Sequence, residues 1–435
     1  MASSSKLSTN LSNSKKRPLS RDALVESETP QKIVKVFPIF AKQSQPSSTA
    51  SFQWLAPLGP KRTCLHGVNL SPRASTTVAA FDLDGTLLQS HIFKKKKSPS
   101  EWKWWKDVVP KKLKEVHNSG SAVVLISNQA IRSSQLEEWK KKISLVASAL
   151  PDVPFRLLAA TAKDGYRKPM PGMWYELERV FKAEGVEIDK ATSFYVGDAA
   201  GRPNDFASTD RKFALNVELP FHTPEAYFLN LSEASYKLPG FNVSSLESVP
   251  RILPVGTSII PATAASFPEI VLFVGFPCIG KSSFYRQHFR TAGYAHINQD
   301  TLGSRPKCLK AVDEAIRAGK SCVIDNTNRD VQTRRHYIEL ARKSDVRIRC
   351  FYFRGSVELA WHNNLYRAFN LPASIALHEP HRDFLPYMAF SSFAEKFEEP
   401  KESEGFLEVI TVNWLFEGSK NEQRNWSMWL QIDGK

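Results

Sequence analysis

Thr77-Val78-Ala79-Ala80-Phe81-Asp82-Leu83-Asp84-Gly85-Thr86 is a short apolar run that ends in two carboxylates and a glycine turn. An apolar stretch of this length, stopped by polar turn residues, predicts a buried strand. Open α/β sheets gather their ligands at the carboxyl ends of strands, which is where Asp82 and Asp84 fall. Carboxylates at i and i+2 on a tight turn can point into one crevice. The first is suited to attack phosphorus and form an aspartyl-phosphate. The second is suited to protonate the leaving oxygen and then to activate water. Two carboxylates repel a phosphate, so the pair calls for a divalent cation, and Mg2+ suits oxygen ligands.

The same pattern recurs along the chain. Ala122–Ile126 runs into Ser127-Asn128-Gln129, and Thr192–Val196 runs into Gly197-Asp198. Helix-like stretches at Ser134–Leu150 and Met173–Glu184 separate these runs, and strand-helix alternation predicts a doubly wound parallel sheet. Ser127 and Asn128 become candidate donors to phosphate oxygens. Lys168, within Tyr166-Arg167-Lys168-Pro169, is the candidate to offset developing charge, and Asp198 to complete a metal site with Asp82 and Asp84. This order and spacing resemble the haloacid-dehalogenase phosphatase superfamily.

A second site lies further on. Gly275-Phe276-Pro277-Cys278-Ile279-Gly280-Lys281-Ser282 fits G-x-x-x-x-G-K-S between a predicted strand, Glu269–Val274, and a predicted helix, Lys281–Thr291. Such a loop turns backbone N–H groups toward the phosphates of a nucleotide. Lys281 offsets their charge and the Ser282 hydroxyl is suited to Mg2+. Gly275, Pro277, Gly280, Lys281, Ser282 and Ser283 are therefore the candidate ATP-binding set. Two features favour a phosphotransferase over a motor or switch. Asn298-Gln299-Asp300 follows the loop's helix, where a carboxylate can take a proton from an acceptor hydroxyl. Asp325-Asn326-Thr327-Asn328 ends a further apolar run, Ser321–Ile324, and is suited to frame an acceptor pocket through Asp325, Asn326 and Asn328. No Asn-Lys-x-Asp signature for guanine is present. Arg334 or Arg367 is the candidate lid over the transferred phosphoryl group.

The chain resembles the polynucleotide kinase 3′-phosphatase family over roughly residues 60–418. The motifs that carry the resemblance include Phe81-Asp82-Leu83-Asp84-Gly85-Thr86, Tyr166-Arg167-Lys168-Pro169 and Val196-Gly197-Asp198-Ala199-Ala200-Gly201-Arg202. Others are Asp210-Arg211-x-Phe213-Ala214-Leu215-Asn216, the phosphate loop, Asn298-x-Asp300-Thr301-Leu302-Gly303-Ser304 and His362-Asn363-Asn364. The resemblance implies Asp82 as nucleophile and Asp84 as general acid/base. It implies Mg2+ on Asp82, the Asp84 carbonyl and Asp198, and Asp300 as the base of a kinase fed by ATP. It implies a two-headed end-repair enzyme acting on DNA with 3′-phosphate and 5′-hydroxyl ends. Three positions depart from the family pattern: Ser127 stands where Thr is usual, Gln299 where Arg often precedes the kinase aspartate, and Leu365 where Arg often follows His-Asn-Asn. The tail of about 50 residues is too short for the forkhead-associated domain of animal relatives, so scaffold binding by that route is not expected.

The resulting expectation is two doubly wound α/β domains, a haloacid-dehalogenase-like phosphatase followed by a P-loop kinase. The boundaries read as a disordered basic tail at 1–50, the phosphatase at 51–248, a proline-rich linker at 249–268 and the kinase at 269–435. Composition is ordinary at 42% hydrophobic residues, but the net charge of +15 is not, and it favours a polyanionic partner. That charge argues against a pairing of small-molecule enzymes. The intact Asp82/Asp84 and Lys281/Ser282 pairs argue against an idle scaffold. RNA-end healing by the same chemistry stays open. The basic cluster Lys15-Lys16-Arg17-Pro18 is a candidate nuclear import signal. Lys94–Lys97, Arg167 and Arg202 are candidate DNA contacts, and Trp102, Trp104 and Trp105 are placed either for base stacking or for core packing. Five dispersed cysteines read as free thiols, and no apolar run is long enough to span a bilayer. A monomer without a membrane partner is expected.

Overall fold

The computed structural model describes residues 51–89, 101–129, 132–246, 248–262, 267–369 and 384–432. The N-terminal tail with Lys15–Pro18, and Lys94–Lys97, lie outside these residues.

The first sheet has seven strands in the order β1-β2-β5-β4-β3-β6-β7. They are β1 (Phe52–Leu58), β2 (Cys64–Asn69), β3 (Val78–Phe81), β4 (Ala122–Asn128), β5 (Phe155–Ala160), β6 (Phe194–Val196) and β7 (Phe221–His222). Strands β5, β4, β3, β6 and β7 run parallel. The β1–β2 hairpin adds an antiparallel edge that alternation of strands and helices gave no reason to expect. Alternate residues of the central strands feed two cores, as a two-residue period requires. Ala79, Phe81, Val123 and Leu125 pack with α1 (Val108–Asn118) and α2 (Ser133–Ser148). Val78, Ala80, Val124 and Ile126 pack with α3 (Gly172–Ala183) and α4 (Thr209–Val217). The short α5 (Pro224–Leu229) is capped by the Thr223 hydroxyl. Trp102, Trp104 and Trp105 pack against the first of these cores, which favours the core reading of the three tryptophans.

The second sheet has the order β10-β11-β9-β12-β13-β8. Its strands are β8 (Ile252–Leu253), β9 (Glu269–Gly275), β10 (Ala295–Ile297), β11 (Cys322–Ile324), β12 (Arg347–Arg354) and β13 (Val409–Asn413). All are parallel except β8. Ile270, Leu272 and Val274 face one core with α8 (Arg305–Arg317) and α9 (Val331–Lys343). Val271 and Phe273 face the other, with α10 (Val357–Phe369) and α11 (Tyr387–Glu395). The helix after the phosphate loop, α6 (Lys281–Phe284), continues as a π-turn over Tyr285–Phe289, and the four-residue α7 (Gln299–Leu302) precedes α8.

The stretch read as a linker is corrected by this sheet. β8 lies inside residues 249–268 and pairs with β13, and the Ser258 and Ile259 carbonyls accept hydrogen bonds from buried Arg349. Phe241 already sits in the second core, so that core begins before residue 248. Proline-rich composition sets backbone stiffness and leaves open whether apolar neighbours such as Ile252 find a partner.

The C-terminal segment straps the two sheets' helices together. After α12 (Lys420–Trp426), Met428, Leu430 and Ile432 pack with Met170 from the first half and Leu365 from the second. Asn216 on α4 donates to the Trp429 carbonyl and accepts from its N–H, at 2.7 Å each. Leu365 lies in this apolar seam, where the arginine of the family pattern would bury a charge.

His362 anchors the strap, 2.6 Å from the Trp426 carbonyl, so Nε2 carries the proton and donates. Among the described residues its buried Nδ1 has no partner, and burial pulls the ring down to about 4. The folded value lies below the 6.5 of an unperturbed histidine, so its contribution is present above pH 6.5 and lost as pH falls from 6.5 to 4. The loss is on the order of 3 kcal/mol. Thermal unfolding at pH 7.5 and pH 5 is expected to show a smaller acid-induced drop for His362→Gln, which keeps a donor for Trp426 but cannot take the proton. An equal drop in the variant would remove His362 from this role.

Candidate active sites

The first crevice opens at the ends of β3, β4 and β6, where the strand order reverses. Asp82 follows β3 and is buried at 5% exposure. Gly85 has φ +97°, and a Cβ there would lie 2.1 Å from Asp198, so only glycine lets the two loops close. Lys168 Nζ is fully enclosed by oxygens: Asp82 at 2.5 Å, Asp210 at 2.7 Å, the Tyr195 hydroxyl at 2.8 Å and the Ile126 carbonyl at 3.0 Å. Asp82, Asp198 and Asp210 bring carboxylate oxygens within 4.8 Å of one another.

One ammonium therefore faces three carboxylates. Burial, with the neighbouring acids, pushes Asp82 up to about 7 despite the attraction of Lys168. Burial, then Asp82 and Asp210, pushes Asp198 up to about 8. The flanking acids outweigh burial at Lys168 and hold its ammonium above the ordinary lysine value. A crowded set of hard oxygens with excess negative charge fits a divalent cation such as Mg2+.

Asp84 points to a different set of partners. Its carboxylate accepts from Lys142 at 3.0 Å and from Gln129 at 2.8 Å. Gln129 also donates to the buried Ser127 hydroxyl at 2.9 Å. Asn128 is engaged by the Lys168 loop: its side chain accepts from the Lys168 N–H and donates one amide hydrogen to the Lys168 carbonyl. Arg167 lies near the Gln129 carbonyl. Arg202 is corrected as a DNA contact, because its guanidinium pairs with Asp205 and Glu225 and donates to the Asp198 carbonyl. It braces the loop that carries Asp198.

Asp210, Tyr195 and Lys142 were not among the residues singled out from sequence. Asp210 stands in a quoted motif, yet nothing in the motif says that it shares Lys168 with Asp82. Lys142 lies 58 residues from Asp84, in the middle of a helix, and carries no sequence signal.

The second crevice opens at the ends of β9 and β11. Gly275 has φ +152°, and a Cβ there would meet Phe353 at 2.9 Å, while Gly280 has φ +98°. The loop between them needs both glycines to turn back on the sheet. Lys281 Nζ arches over it to the Gly275 and Phe276 carbonyls. Ser282 donates to Asp325 at 2.6 Å, and Pro277 lies half-buried on the loop. Ser283 is exposed, and its hydroxyl accepts from Arg286.

Asp325 is buried and also 2.9 Å from His296. Burial alone would raise its carboxyl, but His296, Lys281 and Ser282 hold it below the usual value. Asp300 is exposed, on a four-residue helix capped by Asn298, whose amide in turn donates to the Asp325 carbonyl. Asn326 accepts from the Gln299 N–H. One hydrogen-bonded frame thus ties the Asp300 turn to the end of β11.

Two further expectations are overturned. Arg334 is fully buried, paired with Glu404 and bonded to the Asn328 and Glu398 carbonyls, so it cannot close over a nucleotide. Asn328 is buried and donates to the Phe273 carbonyl, so it joins β11 to β9 and frames no pocket. Arg367 lies half-buried on α10. The neighbouring Asn364 on that helix lies 3.6 Å from the Cys278 sulfur of the phosphate loop.

Among the described residues all five cysteines are free thiols, and no helix is long and apolar enough to cross a membrane. A family model, "Polynucleotide kinase 3 phosphatase", matches residues 77–228, and an "AAA domain" model matches residues 303–382. The chain is 37% identical over 360 residues to a protein of Schizosaccharomyces pombe named "Bifunctional polynucleotide phosphatase/kinase", covering 81% of this chain and 83% of that one. It is 34% identical over 175 residues to the Arabidopsis thaliana "Polynucleotide 3'-phosphatase ZDP", covering 36% of this chain and 24% of that one. With a carboxylate crevice on one sheet, a phosphate loop on the other and this similarity spanning both, the chain belongs to the bifunctional polynucleotide phosphatase/kinase family.

Proposed function

We propose that this protein repairs DNA ends in the nucleus, removing 3′-phosphates at the first crevice and phosphorylating 5′-hydroxyls with ATP at the second. The observation that carries this reading is the pairing of two complete sites in one chain. Asp82, Asp198 and Lys168 meet at one set of strand ends, with Asp84 on the same turn held by Gln129 and Lys142, and Lys281, Ser282 and Asp325 lie at the other beside the turn that carries Asp300.

In the first site Asp82 attacks phosphorus, forming the aspartyl-phosphate as the bond to the 3′-oxygen breaks. Asp84 gives that oxygen a proton and then takes one from the water that releases phosphate. Lys168 offsets charge on the transferred group, and the Ser127 hydroxyl donates to its oxygens. Gln129 and Lys142 hold the Asp84 carboxyl in place. Asp82, the Asp84 carbonyl and Asp198 would hold Mg2+, which supplies positive charge against the phosphate oxygens.

In the second site the loop from Gly275 to Ser282, with Pro277 and Ser283 at its edges, receives the phosphates of ATP, and Ser282 would hold its Mg2+. Asp300 takes the proton of the attacking 5′-hydroxyl. Arg367 is the lid arginine, while Asn326 and Asp325 position the Asp300 turn. Arg167, beside the Gln129 carbonyl, is the candidate contact to the substrate backbone.

A nicked DNA duplex bearing 3′-phosphate and 5′-hydroxyl ends tests the reading. Both ends are followed with Mg2+, with and without ATP. Loss of 3′-phosphate in both reactions and gain of 5′-phosphate only with ATP is the expected result. Absence of either conversion on DNA would reject it, and conversion only of an all-RNA duplex would redirect it to RNA.

A further inference from the structure

A cleft of about 480 Å³ lies beside the loop that carries Asp198, walled by Arg202, Phe206, Ser208, Tyr236 and Lys237. Phe206 is 86% exposed on one wall, an unusual position for a phenyl ring unless something covers it. Tyr236 forms part of another wall, and its ring is held from behind by the Arg211 guanidinium at 3.8 Å, itself packed on Phe221 at 4.4 Å. This aromatic surface is pre-organised. The lining carboxylate of Asp205 is consumed within the loop by Arg202 and by the Ala200 and Arg202 N–H groups. Lys237 is exposed at the rim. At the floor, Ser208 is buried at 1% exposure, and its hydroxyl has no hydrogen-bond partner among the described residues.

We propose that this cleft is a nucleobase subsite for the strand whose 3′ end enters the phosphatase crevice, with Phe206 and Tyr236 stacking on bases and Lys237 contacting the strand's phosphates. The proposal rests on the polynucleotide reading above. Three observations favour this occupant. Aromatic faces stack on any base without regard to sequence, which an end-processing enzyme requires. An exposed lysine beside two exposed rings, on a chain of net charge +15, complements a polyanion. The wall residue Arg202 donates to the Asp198 carbonyl at 3.1 Å, so cleft and catalytic loop are built on one piece of backbone.

The test compares kcat/KM for removal of 3′-phosphate from two single-stranded oligonucleotides, one with all its bases and one abasic over its last three nucleotides. The ratio is read within each protein, so differences in folded fraction cancel. Wild type is expected to favour the base-bearing strand about tenfold, mostly through KM, which is the size of one stacking contact. Phe206→Ala and Tyr236→Ala are expected to bring the ratio close to one, and Phe206→Trp to restore it. A wild-type ratio near one, or an unchanged ratio in Phe206→Ala, overturns the subsite. A wild-type protein that releases phosphate from p-nitrophenyl phosphate but from neither oligonucleotide overturns the polynucleotide reading itself, and the subsite with it.

Discussion

Asp82→Asn is expected to abolish 3′-phosphate removal while 5′-phosphorylation stays within a few-fold of wild type. The amide cannot form an acyl-phosphate, so the covalent route closes, and losses from removing a nucleophile run to about 10⁴–10⁶-fold. The fold is expected to survive. Burial and the repulsion of neighbouring carboxylates hold Asp82 up at about 7, so removing its charge relieves crowding. Lys168 keeps Asp210, the Tyr195 hydroxyl and the Ile126 carbonyl as partners. The kinase crevice is built on the other sheet and takes no ligand from β3. Release of phosphate from a 3′-phosphorylated strand and label transfer to a 5′-hydroxyl strand, measured on one preparation, decide the matter. Equal loss of both activities in a folded variant would show that the two crevices do not work separately.

Asp300→Ala is expected to do the reverse. General-base removal costs about 10²–10⁴ in rate, or roughly 3–5 kcal/mol, and this loss falls on 5′-phosphorylation alone. The carboxylate is exposed and, among the described residues, makes no side-chain hydrogen bond to the frame that Asn298 and Asn326 build, so its removal leaves that frame standing. ATP binding is expected to change little, because Lys281, Ser282 and the loop amides lie on a different turn. Asp325 is poorly suited to replace it. It is buried, already engaged by Ser282 and His296, and held below the usual carboxylate range, which makes it a weak base. Lys281→Ala, by contrast, is expected to weaken nucleotide binding itself. A 5′-kinase rate in Asp300→Ala within a few-fold of wild type would reject the assignment.

Much of this was legible in the order of residues. Apolar runs stopped by Asp-x-Asp-Gly, Ser-Asn and Gly-Asp mark parallel strands, because a strand buried on both faces has no polar residue until it leaves the sheet. β3 and β6 accordingly end where those runs stop, while β4 continues through Ser127 and Asn128 and β9 through Gly275, and Asp82, Asp198 and the phosphate loop follow directly at strand ends. Glycine at positions 85, 275 and 280 was equally readable, since each loop demands a backbone that other residues resist. Local chemistry sufficed in these cases, because the signal and the structure lie within a few residues of each other.

What the tertiary structure alone decided is which side chains are left free. Asn128, Asn328, Arg202 and Arg334 have the chemistry to bind phosphate or nucleic acid, yet each is engaged by groups that folding brings to it. Arg334 meets Glu404 70 residues away, and Asn128 meets the Lys168 backbone 40 residues away. Lys142 and Asp210 enter the first crevice by the same route in reverse, as does the C-terminal strap that turned an unreadable tail into a seam between the halves. The sequence by itself therefore determined the parallel cores of the two sheets, the two crevices and the residues at strand ends. Which polar groups face the crevice and which are bound within the fold depended on long-range contacts, because a buried polar group takes the nearest partner in space and its sequence neighbours do not specify that partner.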